Sequence, residues 1–366
     1  MPIALSIDAG FGVTKFTHRS GSGKGSIEFG SFPSVAVPIV RMPAVPEVTR
    51  GRRSTVVEYN GNAYSVGPDA HHELAGNMFA RDLSGDYYQS DIYHALMRGA
   101  LSFMNEDRID VLVLGLPMDR FDYPTLIEAL QSHYTGDIRI DGARQVRIEK
   151  VVVHPQPFGG YIGLGRHVHE INLAAKGFPQ AKLPEIKEAK DLLELSILVV
   201  DSGAYTLDWL FMVPSGHVRS ASSAANNAGR HRIIRQIYDG IKNDLEEAPP
   251  LSLLLDIDQA ELLKKPIRIK GRAFDLQEER FQSMIRNATD DSIRQMIEHI
   301  GSNIHRVDMI AVVGGEPDHA AAAIRRKLPE IPLFCVPRHG RNPAIFTNLA
   351  GFQEYAEQLA SLAAQT

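Results

Sequence analysis

The chain has 366 residues, 44% hydrophobic and 23% charged, which argues against disordered, collagen-like and coiled-coil proteins and points by length to two domains. The formal net charge is −5 and no run of like charge reads as a nucleic-acid arm, which argues against a large direct footprint on DNA or RNA. A single cysteine, Cys335, excludes an intrachain disulfide and a cysteine-based zinc site and fits a reducing cytoplasm.

The apolar start from Pro2 to Ile7 is broken by Asp8 and lacks a basic leader, and no later apolar run approaches the roughly 20 residues that cross a bilayer. The expectation is a cytoplasmic protein with no membrane partner. Leu5 to Asp8 reads as a strand, Ala9 to Gly12 as a turn and Val13 to Thr17 as a second strand. Segment 19–26 is a polar loop. Its Gly21-Ser22-Gly23-Lys24-Gly25-Ser26 stretch fails as a P-loop, because His18 stands where the first glycine is required and Gly25 follows the lysine.

Residues 56–67 carry Asn60-Gly61 between alternating runs, a hairpin signal. Ile109 to Leu116 suits a strand buried on both faces, followed after Pro117 by a helix over 124–134 and a strand from Val146 to Val153. Further helices are predicted over 159–175, 229–244, 277–303 and 343–363, with a loop over 179–190. Met309 to Val313, Gly314-Gly315 and Asp318 to Leu328 form a strand, glycine turn and helix, and Leu333 to Val336 is a last strand. His71-His72 and the His167/His169 pair lack helical metal-ligand spacing. Alternating strands and helices predict an α/β protein, with smaller subdomains near 31–85 and 245–285.

An internal repeat organises these elements. Leu5-Ser6-Ile7-Asp8-Ala9-Gly10-Phe11-Gly12 recurs in pattern, at an offset of 193, as Leu198-Val199-Val200-Asp201-Ser202-Gly203-Ala204-Tyr205, and each copy runs on into a second strand. Lys15 of the first copy corresponds to Asp208 of the second. Two related domains facing one cleft are the economical reading.

An aspartate followed by a glycine turn places a carboxylate beside backbone amides. Phosphate oxygens can accept from the amides of Gly10, Phe11 and Gly12 and from Lys15, while Asp8 holds a hydrated Mg²⁺. Asp201, Ser202, Gly203 and Thr206 can repeat the grip from the second copy.

Asp8 to Lys15 resembles the first phosphate motif of the actin, Hsp70 and sugar-kinase superfamily, Asp201 to Asp208 the second, and Val312-Val313-Gly314-Gly315 the adenosine motif. Within that superfamily the chain resembles the ParM/StbA plasmid-segregation group. The nearest pattern is the PRTRC system protein D type, through Phe32-Pro33-Ser34, Val66-Gly67-Pro68-Asp69, Tyr93 to Leu101, Ile109 to Pro117 and Asp208-Trp209.

The resemblance implies an actin-like ATPase fold: two RNase H-like domains with inserted subdomains around a nucleotide cleft. Domain I would be 1–155 plus 343–366, and domain II 156–342. It implies ATP and Mg²⁺ as cofactors, slow hydrolysis, head-to-tail filaments, and a plasmid-encoded DNA-binding adaptor. Gln156, in His154-Pro155-Gln156-Pro157, matches the residue that positions the attacking water. Asp201 is the candidate for polarising that water, directly or through Mg²⁺. Gly229, Gly314, Gly315 and Glu316 fall at the nucleoside end, with Glu316 where a third glycine is usual. Phe11 stands where actins often carry a serine, so only its amide can serve. Two alternatives share the fold: a nucleotide-gated scaffold or switch with little polymerisation, and a small-molecule kinase.

Overall fold

The computed structural model describes residues 2–20, 26–39, 53–70, 87–178, 183–250 and 253–365. Gly21 to Gly25, the His71-His72 pair, and 40–52 and 71–85 of the anticipated first subdomain lie outside the described residues. The chain divides into two compact units, Met1–Leu164 with Phe346–Thr366, and Gly165–Ile345.

The first unit is built on strands β1 (Ala4–Ala9), β2 (Val13–Arg19), β3 (Ile27–Pro33), β8 (Val111–Leu116) and β11 (Val151–Pro155), in the order β11-β8-β1-β2-β3. β1 and β2 are antiparallel, whereas β8 runs parallel to both β1 and β11. Strand alternation sends Leu5, Ile7, Leu112 and Leu114 to one face, packed with Leu96, Met97 and Leu101 of helix α1 (Asp91–Met104) and Leu126 and Leu130 of α2 (Pro124–Tyr134). Ala4, Val111 and Val113 go to the other, against Phe352, Ala356 and Ala360 of α9 (Thr347–Ala363).

Local signals explain several boundaries. Ser90 caps α1 by accepting from the Tyr93 amide, and Asn105 ends it in the left-handed region. Asn60-Gly61, at φ 48° and 78°, turns β5 (Thr55–Tyr59) into β6 (Asn62–Val66), which also pairs with β4 (Ala36–Pro38). Val146 to Val153 is not one strand. β10 (Gln145–Ile148) joins β7 (Arg108–Ile109) and β9 (Gly136–Arg139), and only after the charged Glu149-Lys150 break does β11 enter the main sheet. The helix expected over 159–175 is likewise two, α3 (Gln156–Gly163) and α4 (Val168–Ala175), with a 3-10 turn between them.

The second unit repeats the plan with β12 (Ile197–Ser202), β13 (Leu207–Val213), β14 (Gly216–His217), β18 (Met309–Val313) and β19 (Leu333–Cys335), ordered β14-β13-β12-β18-β19, and β15 (Ser223–Ala225) beside β13. Leu198, Val200, Ile310 and Val312 pack with Ile293 and Met296 of α7 (Glu279–Ile300) and Ala320 and Ile324 of α8 (Pro317–Lys327). A second core joins Ile233, Ile237 and Ile241 of α5 (Arg230–Asn243), Ile257 of α6 (Leu253–Leu263), the β16 (Ile267–Ile269)/β17 (Arg272–Phe274) hairpin, and Phe281 and Ile285.

Candidate functional site

In the first unit the ladder sets Asp8 opposite Lys15 at the end of the β1/β2 hairpin. Asp8 is fully buried and Lys15 is 9% exposed. The Lys15 ammonium lies 2.5 Å from Asp8 Oδ2, while the side-chain amide of Gln156 donates to Asp8 Oδ1 at 2.6 Å. A carboxylate only accepts, so the NH₂ of Gln156 must face it, which leaves Oε1 as the acceptor on the other branch of the amide. Three of the sequence candidates therefore meet at one point.

Gln156 opens α3, and α3 is clamped to α9. A Cβ on Gly159 or Gly163 would strike the carbonyls of Asn348 and Thr347, and one on Gly351 would strike Gly159. The sequence division set Gln156 at the start of the second domain, but its helix packs in the first unit, because these glycines let α3 and α9 approach backbone to backbone. The Gly10–Gly12 turn is held by its carbonyls. Ser34 Oγ and the Tyr87 hydroxyl both donate to Gly10 O, and the Ser34 amide donates to Gly12 O. The Phe11 ring stacks on Tyr87, with centroids 4.7 Å apart, so this side chain anchors the turn.

The second unit sets Asp201 opposite Asp208, both buried. Gly314, at φ +98°, lies against Asp201, since a Cβ there would strike its Oδ1. The turn is welded to α5: the Arg230 amide donates to Gly203 O, the His231 amide to Ala204 O, and the Ala228 and Gly229 amides to Tyr205 O. Gly229 is required by this contact, for a Cβ would lie 2.5 Å from Gly203 O. The expectation that the second turn keeps its amides for an anion fails at Gly203, whose N–H donates to Thr206 O at 3.0 Å. Thr206 and Ser202 are buried beside it, whereas Gly315 opens to free space.

Glu316 precedes α8 and belongs to an ion network absent from the sequence reading. Arg230, 7% exposed, pairs with Asp258, Glu261 and Glu316, and Arg338 also pairs with Glu316. Burial raises the Glu316 carboxyl above its ordinary range, partly offset by the two arginines. Burial would raise Glu261 too, but the hydrogen bond with His319 and the Arg230 charge override it and hold Glu261 at about 2. Among the described residues no three His, Cys, Asp or Glu side chains gather into a metal cage, and no helix is long and apolar enough to cross a membrane.

The family described as actin like proteins N terminal domain matches residues 6–159. An archaeal actin homolog matches with a TM-score of 0.70 at 17% identity, over 97% of this chain and 99% of that one. A ParM filament structure from Clostridium botulinum matches with a TM-score of 0.64 at 17% identity, over 98% of this chain and 100% of that one. The chain has the actin-like fold. A structure of the archaeal homolog in complex with ADP gives a TM-score of 0.68 at 16% identity, over 97% and 99% of the two chains. No curated protein matches the sequence at a significant level.

In this actin-like frame, the structure joins Asp8, Lys15 and Gln156 beside Gly10 in one unit, and Asp201, Ser202, Gly203, Thr206, Gly229, Gly314 and Glu316 in the other. The sequence reading named Ser34 only within the resemblance and missed Tyr87, which together hold the first turn, and it missed Arg230 and Arg338, which hold Glu316, and Glu261, which shares Arg230 with it. A buried arginine has no sequence signature of its own.

Proposed function

We propose that this chain is a slow, Mg-dependent ATPase that polymerises head-to-tail into filaments in plasmid or DNA segregation, reaching DNA through a DNA-binding adaptor. One observation carries the reading: each unit ends its first hairpin on a buried aspartate at a glycine turn, Asp8 at 0% and Asp201 at 4% exposure. The ADP complex of the archaeal homolog and the filament of the botulinum ParM support it.

The residues fit the cofactors. Asp8 and Asp201 are hard oxygen donors suited to an ion that keeps most of its waters, and Lys15 is a point charge for phosphate. Bound Mg²⁺ would neutralise charge on the polyphosphate. Lys15 stabilises a terminal phosphate by turning from Asp8, the turn at Gly10, Phe11 and Gly12 presents backbone to it, and Gln156 orients the attacking water through Oε1. A neutral amide orients water without taking its proton, which suits slow turnover. Head-to-tail contacts generate open filaments.

The test is Mg-ATP-dependent pelleting with phosphate release. Asp8→Ala and Asp201→Ala should each weaken ATP binding. ATP binding with no assembly at any accessible concentration would refute the filament reading. A nucleotide-gated switch is the second reading, favoured by Glu316, which two arginines pin at the nucleoside end. Tight binding with neither turnover nor assembly would select it.

A further inference from the structure

Gly115 sits near the end of β8, an otherwise bulky Val-Leu-Val-Leu-Gly-Leu strand buried throughout. Glycine inside a strand forfeits packing and backbone order, and its presence there marks a close approach. β8 lies between β1, which carries Asp8, and β11, which leads into Gln156. Its pairing sets Leu114 beside Ile7 on one side and Gly115 beside His154 on the other. The hydrogen bond from Gln156 to Asp8 therefore crosses β8 at the residue without a side chain. On that face the row from β8 is Val111, Val113, then Gly115, and a third valine would fill the space. Even a single methyl there would lie 3.2 Å from Asp8 Oδ1, 3.3 Å from Gln156 Cγ and 2.7 Å from the Phe352 ring.

We propose that Gly115 is a positioning residue for hydrolysis: its missing side chain is the gap through which Gln156 reaches Asp8, and that contact aims Oε1 at the attacking water. This deepens the ATPase reading and rests on it. Gly115 has no side chain to offer a substrate, and its nearest groups are Phe352, Asp8 and Gln156, so its effect on turnover passes through Gln156. The Phe352 ring is the competing reason for a glycine at this position, and the experiment separates the two.

Three variants are compared with the parent: Gly115→Ala, Phe352→Leu and the double variant. Thermal melts, ATP affinity and single-turnover phosphate release are measured on each. Gly115→Ala should lower the hydrolysis rate by roughly 3- to 10-fold, because contacts of 3.2 and 3.3 Å ask Asp8 and Gln156 to shift by a few tenths of an ångström, short of the 1 Å that costs about 100-fold, with ATP affinity within about threefold. Phe352→Leu should hydrolyse like the parent. In the double variant the melting temperature should recover while hydrolysis stays low. Recovery of hydrolysis with the smaller side chain would overturn the proposal, since Gly115 would then serve Phe352 alone.

A readout independent of activity is the Gln156 side-chain amide in a ¹H–¹⁵N spectrum, assigned by its disappearance in Gln156→Ala. Its two proton resonances should shift toward solvent-exposed positions in Gly115→Ala, and unmoved resonances would refute the gap. If Gln156→Ala hydrolyses like the parent, the water-orienting role fails and the aiming of Oε1 fails with it, while the spectrum still decides whether Gly115 makes room for the contact.

Discussion

Replacing Arg230 with methionine removes one cation from among three carboxylates while keeping side-chain length. Arg230 Nε lies 2.5 Å from Asp258, and Nη1 lies 2.7 Å from Glu261 and 3.3 Å from Glu316. Breaking a buried pair from one side costs about 3–5 kcal/mol, because a charge is left uncompensated. The low end applies here. Asp258 is 38% exposed and can turn to water, Glu316 keeps Arg338 at 3.0 Å, and Glu261 keeps His319 at 3.1 Å. A loss of about 3 kcal/mol lowers the melting temperature of a unit this size by roughly 6–12 °C. The deficit also depends on pH. In the parent, Glu261 is held at about 2, below its unfolded value, so its contribution is present above that value and lost as pH falls toward 2. With Arg230 gone, burial pushes both carboxyls up, so the cost is full at neutral pH and shrinks on acidification. Melts by circular dichroism at pH 7.5 and pH 5 check both parts. A fall below about 2 °C, or an equal deficit at the two pH values, would refute the buried-ion account.

Gln156→Ala should lower hydrolysis by roughly 10- to 1,000-fold with affinity nearly unchanged, as expected for a group that acts only in the transition state; equal losses in calorimetric affinity and in turnover would contradict that role. The His94 ring lies 4.4 Å from that of His133, and burial, then His133, then Arg98 lower it to about 3. Its contribution is therefore present above about pH 6.5 and lost as pH falls from there toward 3, about 2 kcal/mol of it by pH 5, a slope that urea melts should find reduced in His94→Phe. Gly351→Ala should force α3 from α9, costing about 1–3 kcal/mol in the same melts and lowering hydrolysis, since Gln156 rides on α3.

The elements readable in the sequence were those whose signal is local. Asn60-Gly61 makes its turn by backbone preference, and Asp8 and Asp201 end strands where an apolar run meets a glycine turn. The strand from Val146 and the helix from 159 were misread for one reason: each is a continuous pattern cut by tertiary structure, the first shared between two sheets and the second split by a 3-10 turn. At the site, Asp8 and Lys15 meet because the hairpin register is local. Gln156 joins them from 148 positions away, across a third strand, and nothing near it in sequence announces Gly115 as the crossing point.

The same distinction separates the two hairpins. The ladder fixes which side chains share a rung, so the repeat at offset 193 carries over as geometry: Asp8 opposite Lys15, Asp201 opposite Asp208. Charge does not carry over with it. The first hairpin supplies its own cation on the same rung, 2.5 Å from the Asp8 carboxylate. The second hairpin has an acid in that place, and the nearby arginines are committed to Glu316, Glu261 and Asp258. Because the ladder ties Lys15 to Asp8, a phosphate bound as proposed would compete with Asp8 for it. The Gln156 contact is on the other carboxylate oxygen, Oδ1, so a Lys15 that turned to phosphate would leave it in place.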